Sequence, residues 1–413
     1  MTARPEVRVS YWTITLVAAL LLMVTMGTRQ TQGLFLSPLN TTTGLGIATI
    51  SLAMAIGQFV WGLTQPIAGA IADRYGAGRV LAGGVLLLAA AFAITPLMTS
   101  TSGLIIALGI LMAAGSGAGS FSVLIGSASR YLPAEKRGLG SGIINAGGSF
   151  GQFVFAPITQ RLIGGLGWTG AMWSLAILTL AALPLTRVLR RRAHAEPAAK
   201  TAAAAQASAT DHGLRKMVRN AFRNSSYLLL HAGFFTCGFH IAFLITHLPG
   251  EVQLCGQPAQ VASWSLAIIG LANIVGSLAA GWGTQSYRSK YILFWMYASR
   301  ALLILGYLAA PKTALTFYLF AMGLGLTWLA TVPPTAAVVG KLFGGRYIGT
   351  LFGLTLLSHQ VGGFLGAWLG GLAITKLGDY TIMWYADAGL AALAALCNLP
   401  IREARIAPTL QPA

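Results

Sequence analysis

The chain alternates long apolar runs with short polar breaks. Twelve runs can be counted, at about 11–38, 46–72, 79–99, 102–129, 138–163, 168–187, 225–248, 258–284, 290–310, 313–340, 347–374 and 380–400. Runs of this length match the ~20 residues with which a helix crosses a bilayer. Backbone in lipid must satisfy its own hydrogen bonds, so the pattern predicts an all-α membrane protein with twelve transmembrane helices. The one long polar stretch, "RRRAHAEPAAKTAAAAQASATDHGLRKMVR", falls between runs six and seven. It divides the chain into an N-terminal six-helix half (1–187), a cytoplasmic linker (188–224) and a C-terminal six-helix half (225–413).

Two sets of six imply an internal repeat, and the spacing supports one. Gly27, Arg29 and Pro38 precede Gly238, His240 and Pro249 by 211 residues each. The same offset relates Gly142 to Gly353, Gly151 to Gly362, and Leu166-Gly167 to Leu377-Gly378. An offset shared by separate helices points to two homologous, pseudo-symmetric halves.

Charge changes the picture in two ways. Only 9% of residues are charged and 55% are apolar, with 51 glycines, against roughly 25% charged in soluble chains. The formal charge of +18 is not a nucleic-acid footprint, because the basic residues stand singly or in small groups between apolar runs. Their expected partner is anionic lipid headgroups. With the N-terminus inside, 22 of the 27 Lys and Arg fall on cytoplasmic segments, which places both termini in the cytoplasm at the cell (inner) membrane. The first run lacks a cleavage site of small residues before Arg29 and reads as a retained helix. Cys237, Cys255 and Cys397 have no metal or redox spacing and read as buried spectators.

Between runs two and three stands "GAIADRYGAGRV", with Gly69, Asp73, Arg74, Gly76 and Arg79. It resembles the G-x-x-x-D-R-x-G-x-x-R loop of the major facilitator superfamily, and twelve spans in two sixes extend the resemblance to the whole chain. Here Gly69 is expected to let two helices approach and Gly76 to permit a tight turn. Asp73 would accept hydrogen bonds from a neighbouring helix N-terminus, while Arg74 and Arg79 face headgroups. The second-half loop "GWGTQSYRSKY" has no acid, so a gating latch built on this motif is expected to be asymmetric. "YLPAEKRGLGSGIINAGGSFGQ" and "RYIGTLFGLTLLSHQVGGFLGAWLGG" resemble the bacterial branch that groups with monocarboxylate and oxalate/formate carriers. Animal monocarboxylate carriers have an acid and an arginine four residues apart in span eight, where this chain offers Asn273 and Ser277.

The resemblance implies a substrate site near the midplane between the halves, lined mainly by spans one, four, seven and ten with help from two, five, eight and eleven. Polar residues deep in these spans are the candidates: Arg29 and Gln32 in one, His240 in seven, Gln152 in five, Trp328 in ten, and His359 and Gln360 in eleven. Gln32 is expected on the helical face of Arg29, three residues on, and His240 is the repeat-mate of Arg29. Gln58, Gln65 and Asn145 are further polar positions with interhelical hydrogen bonding as their ordinary role. Arg300 sits at the centre of span nine, where it has either a substrate role or a structural bond to carbonyls of its own half.

Acids are scarce inside the spans. Asp387 in twelve is the one expected there, and spans one, four, seven and ten contain none. A buried arginine without an acid favours an anionic substrate, since a planar guanidinium takes a carboxylate through two parallel hydrogen bonds. No P-loop, HExxH or nucleophile–base constellation is present, so no enzyme and no cofactor is expected, and energy must come from gradients. Protons could ride on His240 or His359. The sequence thus points to a monomeric secondary transporter of small, monocarboxylate-like organic anions working by alternating access. The alternative is an exporter of amphipathic, drug-like compounds.

Overall fold

The computed structural model describes residues 10–129, 132, 136–190, 213, 215–344 and 348–403, without the side chains of Asp73, Ser129, Arg137, Arg190 and Ile348. Most of the linker and the Asp73 carboxylate therefore lie outside the described residues.

Among the described residues there are no strands. Among the described residues nine helical stretches are long and apolar enough to cross a bilayer. The stretch over 139–189 is two spans, because Gly167 breaks it at φ 70°, ψ 169°. With Ile348–Leu377 and Thr381–Asn398, the count is the twelve that the hydrophobic pattern predicts. Large apolar side chains such as Leu302, Trp295, Trp282 and Ile177 remain exposed on the outside of the bundle, as expected where lipid replaces water.

Two spans are broken where the site forms. Span one is helical over Tyr11–Arg29, turns at residues 30–31, passes through a 3-10 segment at Gln32–Phe35 and resumes over Leu36–Thr43. Span ten is helical over Ala314–Thr327 and again over Val332–Phe343. Pro333 and Pro334 cannot donate backbone N–H groups to residues 329 and 330, so the helix cannot continue through the "VPP".

The duplication has a physical basis in glycine contacts. Span five lies on span one so closely that a Cβ at Gly151 would stand 2.2 Å from the carbonyl oxygen of Met23. Span eleven lies on span seven in the same way, a Cβ at Gly362 standing 2.0 Å from the oxygen of Phe235. Gly167 and Gly378, also offset by 211, both adopt positive φ at the turns that follow spans five and eleven. Gly167→Ala puts a Cβ into backbone that is nearly exclusive to glycine, at a cost of ~1–3 kcal/mol. Its melting temperature should fall, whereas that of Gly164→Ala, which meets nothing within 4 Å, should not.

The apolar interior forms one cluster from Ile14 to Leu189 and another drawn almost wholly from Ala221 to Ile401. The halves meet where span two packs on eleven and span five on eight. Ala55, Ala242 and Ala367 form a narrow seam between them. At the end of the bundle opposite the linker, Gly33 of span one lies against the backbone of Ile245 and Thr246 of span seven. Near the linker end a Cβ at Gly69 would meet nothing within 4 Å. Among the described residues the helix approach expected at Gly69 is thus absent, the tight backbone contact between the halves lying instead at Gly33. Gly76 makes the expected turn with φ 94°, Arg79 is exposed, and Arg74 is exposed over the ring of Tyr75.

Candidate functional site

Arg29 ends the first helix of span one and is buried, 7% exposed. Its Nη2 donates to Oε1 of Gln58, and its guanidinium lies 4.2 Å from the ring centre of Trp61. Gln58 and Trp61 are one turn apart on span two, so a single helix face supplies a neutral acceptor and a π-face. Among the described residues no carboxylate lies within 4 Å of this arginine.

Span eleven closes the other side. Gln360 packs its side chain against Gly62, next to Trp61, and Gly363 lies against Gln58. His359 lies near enough to feel the charges of both Arg29 and Arg300, and its ring is 5.0 Å from that of Phe234. Four buried nitrogens here have no hydrogen-bond partner: Trp61 Nε1, Gln360 Nε2 and both ring nitrogens of His359. Trp and Gln side-chain nitrogens only donate, and a neutral imidazole donates once. The site therefore offers unused donors around a guanidinium, which is the complement of an acceptor-rich anion.

Other expected residues go elsewhere. Gln32 is not one regular turn above Arg29, because the helix breaks between them, and its Nε2 meets Sδ of Met112 at 2.8 Å. Met112 closes an eight-residue π-helical stretch, Ile105–Met112, in span four. Gln152 is buried where span five crosses span eight at Gly270, its Nε2 unpartnered. Beside it Asn273 donates to Ser149 Oγ at 2.8 Å and accepts from the Leu329 N–H at 2.9 Å, joining spans five, eight and ten.

His240, Trp328 and Arg300 form a second group, inside the C-terminal half. Nδ1 of His240 is 2.5 Å from Oδ2 of Asp387 in span twelve, and its ring stands edge-on to Trp328. His240 therefore does not repeat the contacts of Arg29, since its partner comes from within its own half. Arg300 is fully buried, with Nη2 donating to the carbonyls of Thr327 at 2.6 Å and Trp328 at 3.3 Å. Those carbonyls are left over by the break in span ten, so the arginine has the structural bond weighed for it above. The expectation that span seven holds no acid is also corrected. The helix runs on to Leu254 and includes buried Glu251, whose carboxylate accepts from Tyr307 at 2.5 Å.

Sequence reasoning passed over Trp61, which its spacing from Gln58 could have flagged. It also missed the reach of Asp387, for which span twelve gives no local signal. An apolar hollow of about 430 Å³ lined by Phe235, Val361 and Leu393 with His231 and Ser358 contains none of the Arg29 group.

A model of the Major Facilitator Superfamily matches residues 18–367. The chain belongs to this superfamily. Facilitators are membrane transporters, and this one is therefore an integral membrane protein with a small-molecule cargo. It is similar to Monocarboxylate transporter 13 of Rattus norvegicus, 26% identical over 398 residues covering 94% of this chain and 89% of the relative. It is also similar to the uncharacterized MFS-type transporter YcxA of Bacillus subtilis (strain 168), 24% identical over 367 residues, 86% of each chain. Among solved structures, the D-xylose-proton symporter superposes with a TM-score of 0.76 at 15% identity over 95% of this chain and 98% of that one. This last likeness speaks for the facilitator fold alone.

Proposed function

We propose that this facilitator carries small organic anions of the monocarboxylate kind, with the anion seated on Arg29 between spans one, two and eleven. The observation that carries the reading is a buried guanidinium with only neutral partners, ringed by unused donors on Trp61, His359 and Gln360. A carboxylate would complete both sets of hydrogen bonds at once. The names of relatives such as Monocarboxylate transporter 13 favour the same substrate class.

Transport is by alternating access, with residues 1–187 and 225–413 rocking as two units about the site and 188–224 as the cytoplasmic linker between them. The close contact of Gly33 with span seven corresponds to the state closed at the end away from the linker. The charge distribution supports an inner-membrane location with both termini and the linker in the cytoplasm, beside anionic headgroups, and a monomer suffices for the mechanism. The Gly69–Arg79 loop, with Asp73, is the gating latch at that face. Arg300 serves the break in span ten, and Gln152 and Gln32 support the helices that line the site.

The test is thermal stabilisation of the purified protein by small acids. Lactate and oxalate should raise the melting temperature in a saturable way, and lactamide, which has no charge, should not. The same acids should compete with each other for uptake into proteoliposomes. Stabilisation by amphipathic drug-like compounds, with none by carboxylates, would replace this reading with the exporter.

A further inference from the structure

Among the buried ionisable groups of the C-terminal half that the anion site does not use are His240 on span seven, Arg300 on span nine and Asp387 on span twelve, each 0% exposed. Buried charge is expensive unless it is paired and hydrogen-bonded. Here the pairing is incomplete. Asp387 uses Oδ2 on His240 and leaves Oδ1 without a partner. Arg300 uses Nη2 on the span-ten carbonyls and leaves Nε and Nη1 without partners. Among the described residues no ion pair within 4 Å joins the two. Spans nine and twelve pack together. Arg300 is nine residues (~14 Å of rise) and Asp387 six residues (~9 Å) from the ends of their helices opposite the linker. The Trp328 ring stands 5.8 Å from that of His240, and the Trp328 carbonyl accepts from Arg300. Two unused donors and one unused acceptor of opposite charge thus lie at similar depth.

We propose that His240 and Asp387 are a single proton-binding couple and that Arg300 is its switch, moving between the carbonyls of span ten and Oδ1 of Asp387. With a proton added, the couple is neutral and Arg300 is free to hold the carbonyls of Thr327 and Trp328, which is the arrangement seen. Loss of that proton leaves a net charge of −1 on the couple, the proton going to water. The negative charge draws the guanidinium onto Oδ1 and off span ten. The break at residues 328–331 then loses its only arginine clamp and can bend, so proton occupancy becomes helix shape.

The charged and titratable groups facing the couple are few. Span nine supplies Arg300 and Tyr297, whose ring lies 5.5 Å from the guanidinium carbon. Span seven itself supplies Cys237, held by Thr331 and the Trp328 carbonyl, and His247 two turns away, held by the Ala367 carbonyl and Tyr380. Span ten faces it with Trp328, and from span eleven His359 lies within reach of the charge on Arg300.

The purpose of the couple rests on the carrier reading above, but its titration does not. Trp328 stands 5.8 Å from His240, so an added proton should change its fluorescence. The experiment takes the difference between wild type and Trp328→Phe across pH on the purified full chain. A single step is expected, lost in Asp387→Asn and moved in Arg300→Gln. In proteoliposomes Asp387→Asn should keep lactate exchange at equal pH and lose, by tenfold or more, accumulation driven by a proton gradient. A step that persists unchanged in Asp387→Asn, or undiminished accumulation, overturns the proposal. If wild type carries no carboxylate, the substrate reading fails and the fluorescence step still judges the couple. Should Asp387→Asn not fold, the neutral pair Asp387→Asn with Arg300→Gln makes the same comparison.

Discussion

Arg29→Ala should remove carboxylate binding, lowering affinity by ~100-fold or more, and leave the purified protein within about 1 kcal/mol of wild-type stability. The loss follows from two charge-assisted hydrogen bonds at ~1.5–3 kcal/mol each. The small effect on folding follows from what surrounds the guanidinium. Gln58 and Trp61 are neutral, so no partner charge is orphaned, and the desolvation cost that the arginine carries disappears with it. Arg29→Lys should recover little, because an ammonium cannot present a planar fork. Melting temperature and lactate affinity measured on the same samples decide the matter. A variant that melts many degrees lower yet still binds lactate would make Arg29 a structural residue.

The second large effect is expected at Gly238. A Cβ there would stand 1.7 Å from the carbonyl oxygen of His359, an atom of span-eleven backbone that no rotamer change can move. Gly238→Ala should therefore cost more than ~4 kcal/mol, a size reserved for changes that force packed elements apart. It should also displace His359 and with it unused donors of the proposed anion site. Gly353→Ala, which meets nothing within 4 Å, is the matched control in span eleven. Equal melting of the two variants in detergent would mean that spans seven and eleven lie farther apart than described.

These two residues show what the sequence could disclose. Gly238 was legible through its repeat-mate Gly27, because duplication preserves the positions where helices touch. The twelve spans and the turn at Gly76 in the loop motif were readable for similarly local reasons: each is written in hydrophobicity or in one backbone conformation. Arg29 was legible as a buried charge. Its partners were not, since Gln58 is only one of several amides in membrane helices, and which of them meets the guanidinium depends on helix rotation. The pairing of His240 with Asp387 joins positions 147 residues apart, and no periodicity in either span marks it. The break after Arg29 lacks a proline to announce it, whereas the one before Pro333 has two.

That break bears on how the empty protein behaves. Because the helix Tyr11–Arg29 ends at Arg29, this arginine belongs to the last turn, near which a helix dipole gathers its partial negative charge. The dipole is a small, fixed offset to the charge of Arg29, carried by main chain that can neither diffuse away nor titrate. If Arg29 is the anion seat proposed above, this offset should ease a return stroke without cargo. On that proposal net uptake of an acid into proteoliposomes should proceed without a counter-acid inside.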